Sequence, residues 1–541
     1  MPAMIVAPQP LAVEEGAKVL AKGGNAFDAV LACACVQFIL DPHSCGVGGY
    51  LLLTHHPAGT AVPHAILDAP AVAGARVKPE MWSDQVLGGN PGGWGFFLKD
   101  KVNDDGYLSI CTPGMVRGMQ AIHSRWCTWK WADLIAPAIA IAEEGFVVGE
   151  HLAHRWKDRP DYPESSSLFQ KLHVTPDARR IYLKPDGTPY DAGETLRNPD
   201  YARTLRRLAE AGADDFYTGD LARTMCHDLA SQGSWVTADD FANYRLRDEP
   251  PVVVTYRGYT VITSQPPHGG PTLAAILKIL EGYDLASMAH NSPEYIYLVS
   301  MAMKAAFADR NQQLADPQFE SVPLEQMISA ERARHWRRVI DAGERIETRR
   351  VQTGSPDTTQ VTVVDRWGAC VSLTHSLGSS SGVITPGLGF MYNNSMINFY
   401  PYPGHPNSIA PGKGRTTGMT PTVVLKDGRP VLVLGAPGAT RIITSVLQVI
   451  LNRLDFRMSM TDAVVAPRFD CQGETIRCQS RIPEFTCAAV RRRHGIERLP
   501  DAHGGLALVH AIAIDETTGA LTGAADTGAD GMPLLVNDVQ S

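Results

Sequence analysis

The apolar residues of this chain change their spacing near its middle, and that change limits the folds open to it. In the first part most of them recur at helical intervals, as in LAVEEGAKVLAKGGNAFDAVLACACVQFIL at residues 11–40, PTLAAILKILEGYDL and SPEYIYLVSMAMKAAFADR. From residue 359 onward QVTVVD, ACVSLTHS, TPTVVLKDG and PVLVLGAPG read as strands, followed by a long helix in TRIITSVLQVILNRL. Strands therefore follow strands in blocks instead of alternating with helices. That order predicts an antiparallel layered sandwich of mixed α/β (α+β) content, not a doubly wound parallel sheet.

Turn chemistry adds detail. Gly23-Gly24-Asn25 splits the first long segment into two helices. The stretch VVVTYRGYTVITSQPPHGG at 252–270 predicts a hairpin closed at Arg257-Gly258. GVGG at 46–49 feeds the apolar strand YLLLTHH, so it reads as a tight turn; a phosphate cradle would need a following helix. Residues 320–357 show short helical pieces without a long apolar face, which predicts an exposed linker.

With 44% apolar and 20% charged residues among 541, the chain has the means to bury a large core. Its formal net charge of -8 comes with no Lys/Arg-rich face interleaved with aromatics, which argues against a nucleic-acid partner. No apolar run is long enough to span a bilayer, and the start MPAMIVAPQPLAVEEG lacks a charged segment followed by an apolar signal core, so the expectation is a cytoplasmic protein away from membranes. The ten cysteines form no CxxC pair and no zinc-ligand spacing, and read as small core residues. No metal site or cofactor is implied.

One position carries a sharper chemical reading. Thr358 follows the 320–357 linker and opens a strand. A threonine hydroxyl is a weak nucleophile unless a base adjoins it, and the smallest such base is its own α-amine, with a pKa of about 8. That use requires cleavage of the Asp357–Thr358 bond. Developing negative charge would then need backbone donors. GAPGATRIIT at 435–444, a tight turn opening a helix, presents the N–H groups of Gly438 and Ala439 for that purpose.

The chain resembles the γ-glutamyltranspeptidase family of N-terminal nucleophile hydrolases. The resemblance runs through PLAVEEGAKVLAKGGNAFDAVLA, TPGMVRGMQA, PAIAIAEEGF, YRGYTVITSQPPHGG, AFADRNQQLADPQF, TTQVTVVDRWGACVSLTHS, SGVITPGLGFMYNNSMINF and TPTVVLKDGRPVLVLGAPGATRIITSVLQVILNRLDF, so it covers nearly the whole chain. It implies a four-layer αββα sandwich and a proenzyme that cuts itself before Thr358. The products would be a large chain of residues 1–357 and a small chain of the remaining 184, held together as one intertwined domain. It further implies acyl transfer from an amide substrate to the Thr358 hydroxyl. Ser376 falls where the family has a hydroxyl bonded to the nucleophile, and Gly438 and Ala439 fall on the oxyanion pair.

The same comparison exposes departures. The family's carboxylate-binding arginine falls at Pro70, the residues that hold the glutamyl ammonium at Ser395 and Asn398, and a further asparagine at Gly378. Paired serines read Thr417-Gly418, and the histidine after Thr-Thr is Gln360. Catalytic parts are kept while glutamyl-recognising parts are replaced. The expectation is an amidohydrolase acting on a small carboxylate-bearing amide, oxamate-like, since oxamate amidohydrolases and cephalosporin-type acylases are related to this family. Arg76, His43, His268, His375 and Arg415 are the candidates for a replacement carboxylate contact. Two other readings stay open: a true γ-glutamyltransferase or glutathione hydrolase, and an uncleaved, non-catalytic binding homologue. Pairing of the two-chain unit into a homodimer is also open.

Overall fold

Two six-stranded antiparallel sheets lie face to face, with helices on both outer surfaces. This is a computed structural model that describes residues 2–58, 65–89, 95–160, 162–348 and 357–537. The first sheet runs in the order Gly531–Val536, Ala3–Pro8, Thr359–Val364, Cys370–Ser376, Tyr50–His56, Ala65–Ala69. The second runs Leu521–Ala525, His510–Ile514, Arg429–Gly435, Thr422–Lys426, Tyr259–Thr263, Val252–Tyr256. The αββα order expected from the resemblance is thus present, and the two sheets draw strands from both sides of the Asp357–Thr358 bond.

Each layer follows from local sequence. The helix Ala26–Leu40 is apolar on every side and all of its residues are buried, as befits a helix enclosed by protein on all faces. Its start is fixed by Asn25, whose side chain accepts from the N–H groups of Phe27 and Asp28 while Asp28 returns a bond to the Asn25 N–H. The helices Gly270–Leu280, Pro293–Gln313 and Arg441–Leu454 cover the second sheet in the same way. Between the sheets Met4, Val6, Val364, Val423, Val433 and Ile512 form the inner core.

The GVGG turn serves close packing. A Cβ on Gly48 would lie 2.3 Å from the Met391 carbonyl oxygen, and one on Gly49 2.3 Å from that of Ser376. The expected hairpin closes at Arg257-Gly258, where both residues have positive φ. Two first-sheet strands carry no clear strand signal in the sequence. Ala3–Pro8 lies beside the edge, and Gly531–Val536, in a stretch that reads as turn-rich, pairs with it antiparallel.

The linker expected at 320–357 is in part a packed helix. Ala330–Asp341, capped by Ser329, buries Ala333 and Ile340, and the Arg332 Nε donates to Asp309 at 2.9 Å. An amphipathic helix needs only two such apolar anchors, too few to register as a long apolar face. Residues 349–356 of that expected linker lie outside the described residues.

Candidate active site

Strand register brings three side chains together at one end of the space between the sheets. Ser376 closes the strand Cys370–Ser376 opposite Tyr50 of the next strand, and Thr358 immediately precedes Thr359–Val364 on the other side. The Thr358 and Ser376 hydroxyl oxygens are 3.1 Å apart. Each also reaches the carbonyl oxygen of Asp357, Thr358 Oγ1 at 2.6 Å and Ser376 Oγ at 2.7 Å. Gly378, with φ of 79°, turns its N–H onto Ser376 Oγ at 2.8 Å and so orients that hydroxyl. All of these residues are buried, Thr358 being 9% exposed. A carbonyl held by one positioned hydroxyl beside a second hydroxyl is an arrangement suited to acyl transfer.

Asp357 is anchored from the other direction. Its carboxylate pairs with the guanidinium of Arg155, from the short helix Glu150–Arg155. Arg155, Thr358 and Gly438 share a cavity of about 670 Å³ whose walls include Leu11, Leu40 and Leu506. That volume lies within the range of small-molecule sites. Sequence reasoning missed Arg155: nothing ties a charged residue on a short helix to a bond 202 residues away.

The loop expected to supply oxyanion donors follows a strand of the second sheet and reaches the same cavity through Gly438. The chain leaves Arg429–Gly435, turns through Gly438 with φ of 132° and Ala439 with φ of 58°, and enters the helix Arg441–Leu454. Amides at such a helix start lack intrahelical acceptors and favour negative charge. Gly418 supports the loop from behind, since a Cβ there would lie 2.0 Å from the Ala439 carbonyl oxygen.

The residues expected to contact substrate divide. Gln360 does not belong to the site. It projects from the same strand face as Thr358 but one step further along, where it is fully buried between the sheets, donating to Ser372 Oγ at 2.9 Å and accepting from Thr374 Oγ1 at 2.6 Å. Gly378 acts through Ser376, as described above. Thr417 is held in a buried chain: its Oγ1 is 2.7 Å from His268 Nδ1, whose Nε2 is 2.8 Å from Asp68 Oδ2. Asn398 is buried and its carbonyl accepts from Asn407 Nδ2 at 2.7 Å. Ser395 is buried with a hydroxyl that has no hydrogen-bond partner.

The five candidate carboxylate contacts also separate. Arg76 is exposed. His268 is committed to Asp68 and Thr417. Burial pushes the imidazoles of His43 and His375 down to about 3, so both are neutral near pH 7. His375 Nε2 lies 2.8 Å from Gln37 Oε1, as a core histidine. Arg415 is the buried arginine of the five, 2% exposed, with its guanidinium carbon 4.2 Å from the ring centre of Tyr50, the register partner of Ser376.

Among the described residues no helix is long and apolar enough to cross a membrane. The thiols are free, eight of them buried and those of Cys127 and Cys226 partly so.

Comparison with known proteins places this geometry. The model of the family described as gamma-glutamyltranspeptidase matches residues 12–536. The Acylase ACY 1 proenzyme of Pseudomonas sp. (strain SE83) is 36% identical over 99% of this chain and 93% of its own length. The glutathione hydrolase proenzyme of Bacillus subtilis (strain 168) is 29% identical over 99% and 91%. Among solved structures, a cephalosporin acylase from Bacillus halodurans superposes with a TM-score of 0.86 at 28% identity, covering 98% of this chain and 95% of that one. The chain therefore belongs to the gamma-glutamyltranspeptidase family of amide-bond hydrolases and transferases.

Proposed function

We propose that this protein is a self-processing amidohydrolase that uses Thr358 as its nucleophile and acts on a small carboxylate-bearing amide, oxamate-like, lacking an α-ammonium. The observation that carries the reading is the convergence of the Thr358 and Ser376 hydroxyls on the Asp357 carbonyl. In processing, Thr358 Oγ1 attacks that carbonyl carbon, and Ser376 Oγ–H stabilises the developing oxyanion. The C–N bond breaks as the nitrogen gains a proton, leaving an ester that water hydrolyses to an Asp357 carboxylate and a Thr358 with free amine and free hydroxyl.

Turnover repeats the chemistry on a substrate. The free α-amine takes the Oγ1 proton as the hydroxyl attacks the amide carbonyl and passes it to the departing amine; water then releases the acyl group. Gly438 and Ala439 N–H groups are the proposed donors to the tetrahedral oxyanion. Specificity follows from the replaced residues. Ser395 and Asn398 offer no carboxylate to an α-ammonium, and an ammonium desolvated without one is held poorly. Relatives named acylase support an acyl group other than glutamyl, whereas relatives named glutathione hydrolase keep the γ-glutamyl alternative as an outcome of the test.

Denaturing electrophoresis with N-terminal sequencing, followed by a panel of amides assayed for ammonia or amine release, tests both parts. The expected result is two chains, the smaller beginning at Thr358, and faster turnover of oxamate or a dicarboxylic monoamide than of γ-glutamyl anilide. An active protein with no new terminus at Thr358 overturns the nucleophile. An intact, inactive chain identifies a binding homologue. Faster release of glutamate than of any ammonium-free acid overturns the specificity.

A further inference from the structure

Arg415 is buried to 2% exposure, yet its Nε has no hydrogen-bond partner, and among the described residues no carboxylate pairs with it. An isolated buried cation is costly; the buried Arg310, which also lacks a carboxylate among the described residues, at least donates to the Thr417 carbonyl at 2.8 Å. The neighbouring buried Arg247 pairs with Asp316, and Arg468 with Asp526. Arg415 has only the face of Tyr50 beneath it, 4.2 Å away.

The position of Tyr50 decides where that charge sits. Tyr50 is the register partner of Ser376, so their side chains project from the same face of the sheet, and Ser376 Oγ is 3.1 Å from Thr358 Oγ1. Arg415 therefore lies on the Ser376 flank of the reacting hydroxyl. Its segment is also fixed. Gly414 bridges to Val72, Ala73 N–H donates to the Lys413 carbonyl at 2.9 Å, and Gly414 N–H donates to Asp316 at 2.7 Å. On the other side the Thr417 carbonyl accepts from Arg310 at 2.8 Å.

A second orphaned donor adjoins the same place. Ser395 Oγ is buried and unpartnered, and the Ser395 and Cys111 N–H groups share one acceptor, Asn393 Oδ1, at 3.1 Å each. Cys111 in turn feels the Arg415 charge: burial raises its thiol to about 12, and Arg415 partly opposes the rise. A buried arginine whose Nε is unpartnered and a buried unpartnered hydroxyl thus lie on the Tyr50 and Asn393 side of Ser376.

We infer that Arg415 is the specificity-determining cation of this enzyme, pairing with a carboxylate on the acyl side of the substrate, with Ser395 Oγ as an auxiliary donor. The inference rests on the amidohydrolase reading and narrows it: the substrate is the monoamide of a short dicarboxylic or oxo acid whose free carboxylate reaches the Tyr50 ring while its amide carbonyl meets Thr358.

The test is the ratio of kcat/KM for succinyl p-nitroanilide to that for its methyl ester, which differ only in the carboxylate charge. Wild type is expected to favour the free acid. Arg415→Gln is expected to lower that ratio about 30-fold or more, chiefly through a higher KM for the free acid. Arg415→Lys, which keeps a cation without the planar fork, is expected to fall between them and decides the matter if the Gln variant does not fold. If wild type prefers the acid and neither variant reduces the preference, Arg415 is structural and only this inference fails. If wild type does not distinguish acid from ester, the carboxylate-bearing substrate class fails, and the inference with it.

Discussion

The hydroxyl oxygens of Thr358 and Ser376 stand 3.1 Å apart, and both meet the carbonyl oxygen of the bond that joins Asp357 to Thr358. In the proposed processing the first therefore has its electrophile in place before any substrate arrives, and the second is aimed at the oxygen where charge would develop. Ser376→Ala removes that donor while leaving the attacking hydroxyl. Loss of one positioned oxyanion donor costs about 10²–10³ in rate. Appearance of the 184-residue chain should slow by that factor in Ser376→Ala and persist in Ser376→Thr, whereas Thr358→Ala should remain a single 541-residue chain. Wild-type processing in the Ser376→Ala variant would remove Ser376 from the chemistry.

In the proposed processing Asp357 becomes a chain end, so its ion pair with Arg155 would belong to the uncut chain. The Asp357 side chain is 1% exposed, and a buried carboxylate stripped of its partner costs about 3–5 kcal/mol. The lower end applies here, since the arginine side chain is 25% exposed. In a Thr358→Ala background, which keeps the bond intact, Arg155→Met should lower unfolding stability by about 3 kcal/mol, and adding Asp357→Asn should recover most of it. Chemical denaturation of the three proteins reads this directly. Equal stability would show that the pair contributes nothing to holding the scissile bond.

These contacts show where sequence reading succeeds and where it stops. The strand after Thr358 and the strand ending at Ser376 are both legible as apolar runs bounded by turns, and hairpin register then sets 358 and 376 side by side. Gln360 is different: its alternation says only that it faces one side of the sheet, and the partners that show this side to be the inter-sheet space, Ser372 and Thr374, depend on a packing that sequence spacing does not encode. Arg155 and Tyr50 enter the site through tertiary contact alone. Gly531–Val536 is hidden for a further reason, as an edge strand containing Pro533 carries little apolar alternation.

The turn at Gly438-Ala439 supports a pair of opposite substitutions. Ala439 holds φ at 58°, a region where an L side chain costs about 1 kcal/mol, so Ala439→Gly should leave activity intact and raise stability by up to that amount, less the added freedom of the unfolded chain. Gly438 holds φ at 132°, and a Cβ there would stand 2.6 Å from both Cα and Cβ of Ala507. Gly438→Ala must shift the loop, and a displaced oxyanion donor should cost at least about tenfold in kcat. Thermal unfolding and steady-state kinetics on both variants separate the effects, and equal kcat in the two would argue that the loop takes no part in the reaction.

Buried neutral histidines make the folded protein acid-sensitive in a window of its own. Burial lowers the pKa of His43 and of His375 to about 3 and that of His510 to about 4, against roughly 6.5 in an unfolded chain. Above pH 6.5 neither state binds these protons and no penalty exists. As pH falls below 6.5 the unfolded chain takes them up while the folded chain does not, so stability declines until the folded values are reached. At pH 5 each histidine should cost about 2 kcal/mol, and this precedes most carboxylate titration, which lies near pH 4. His375 is the cleanest to remove, since its Nε2 meets only the side-chain oxygen of Gln37 among its hydrogen-bond contacts. Denaturation at pH 7.5, 6 and 5 should show a decline, and His375→Gln should lessen it by about 2 kcal/mol at pH 5. A stability flat between pH 7.5 and 5 would mean that these imidazoles take up protons inside the fold, and the charge state assigned to His43 at the edge of the cavity would have to be reversed.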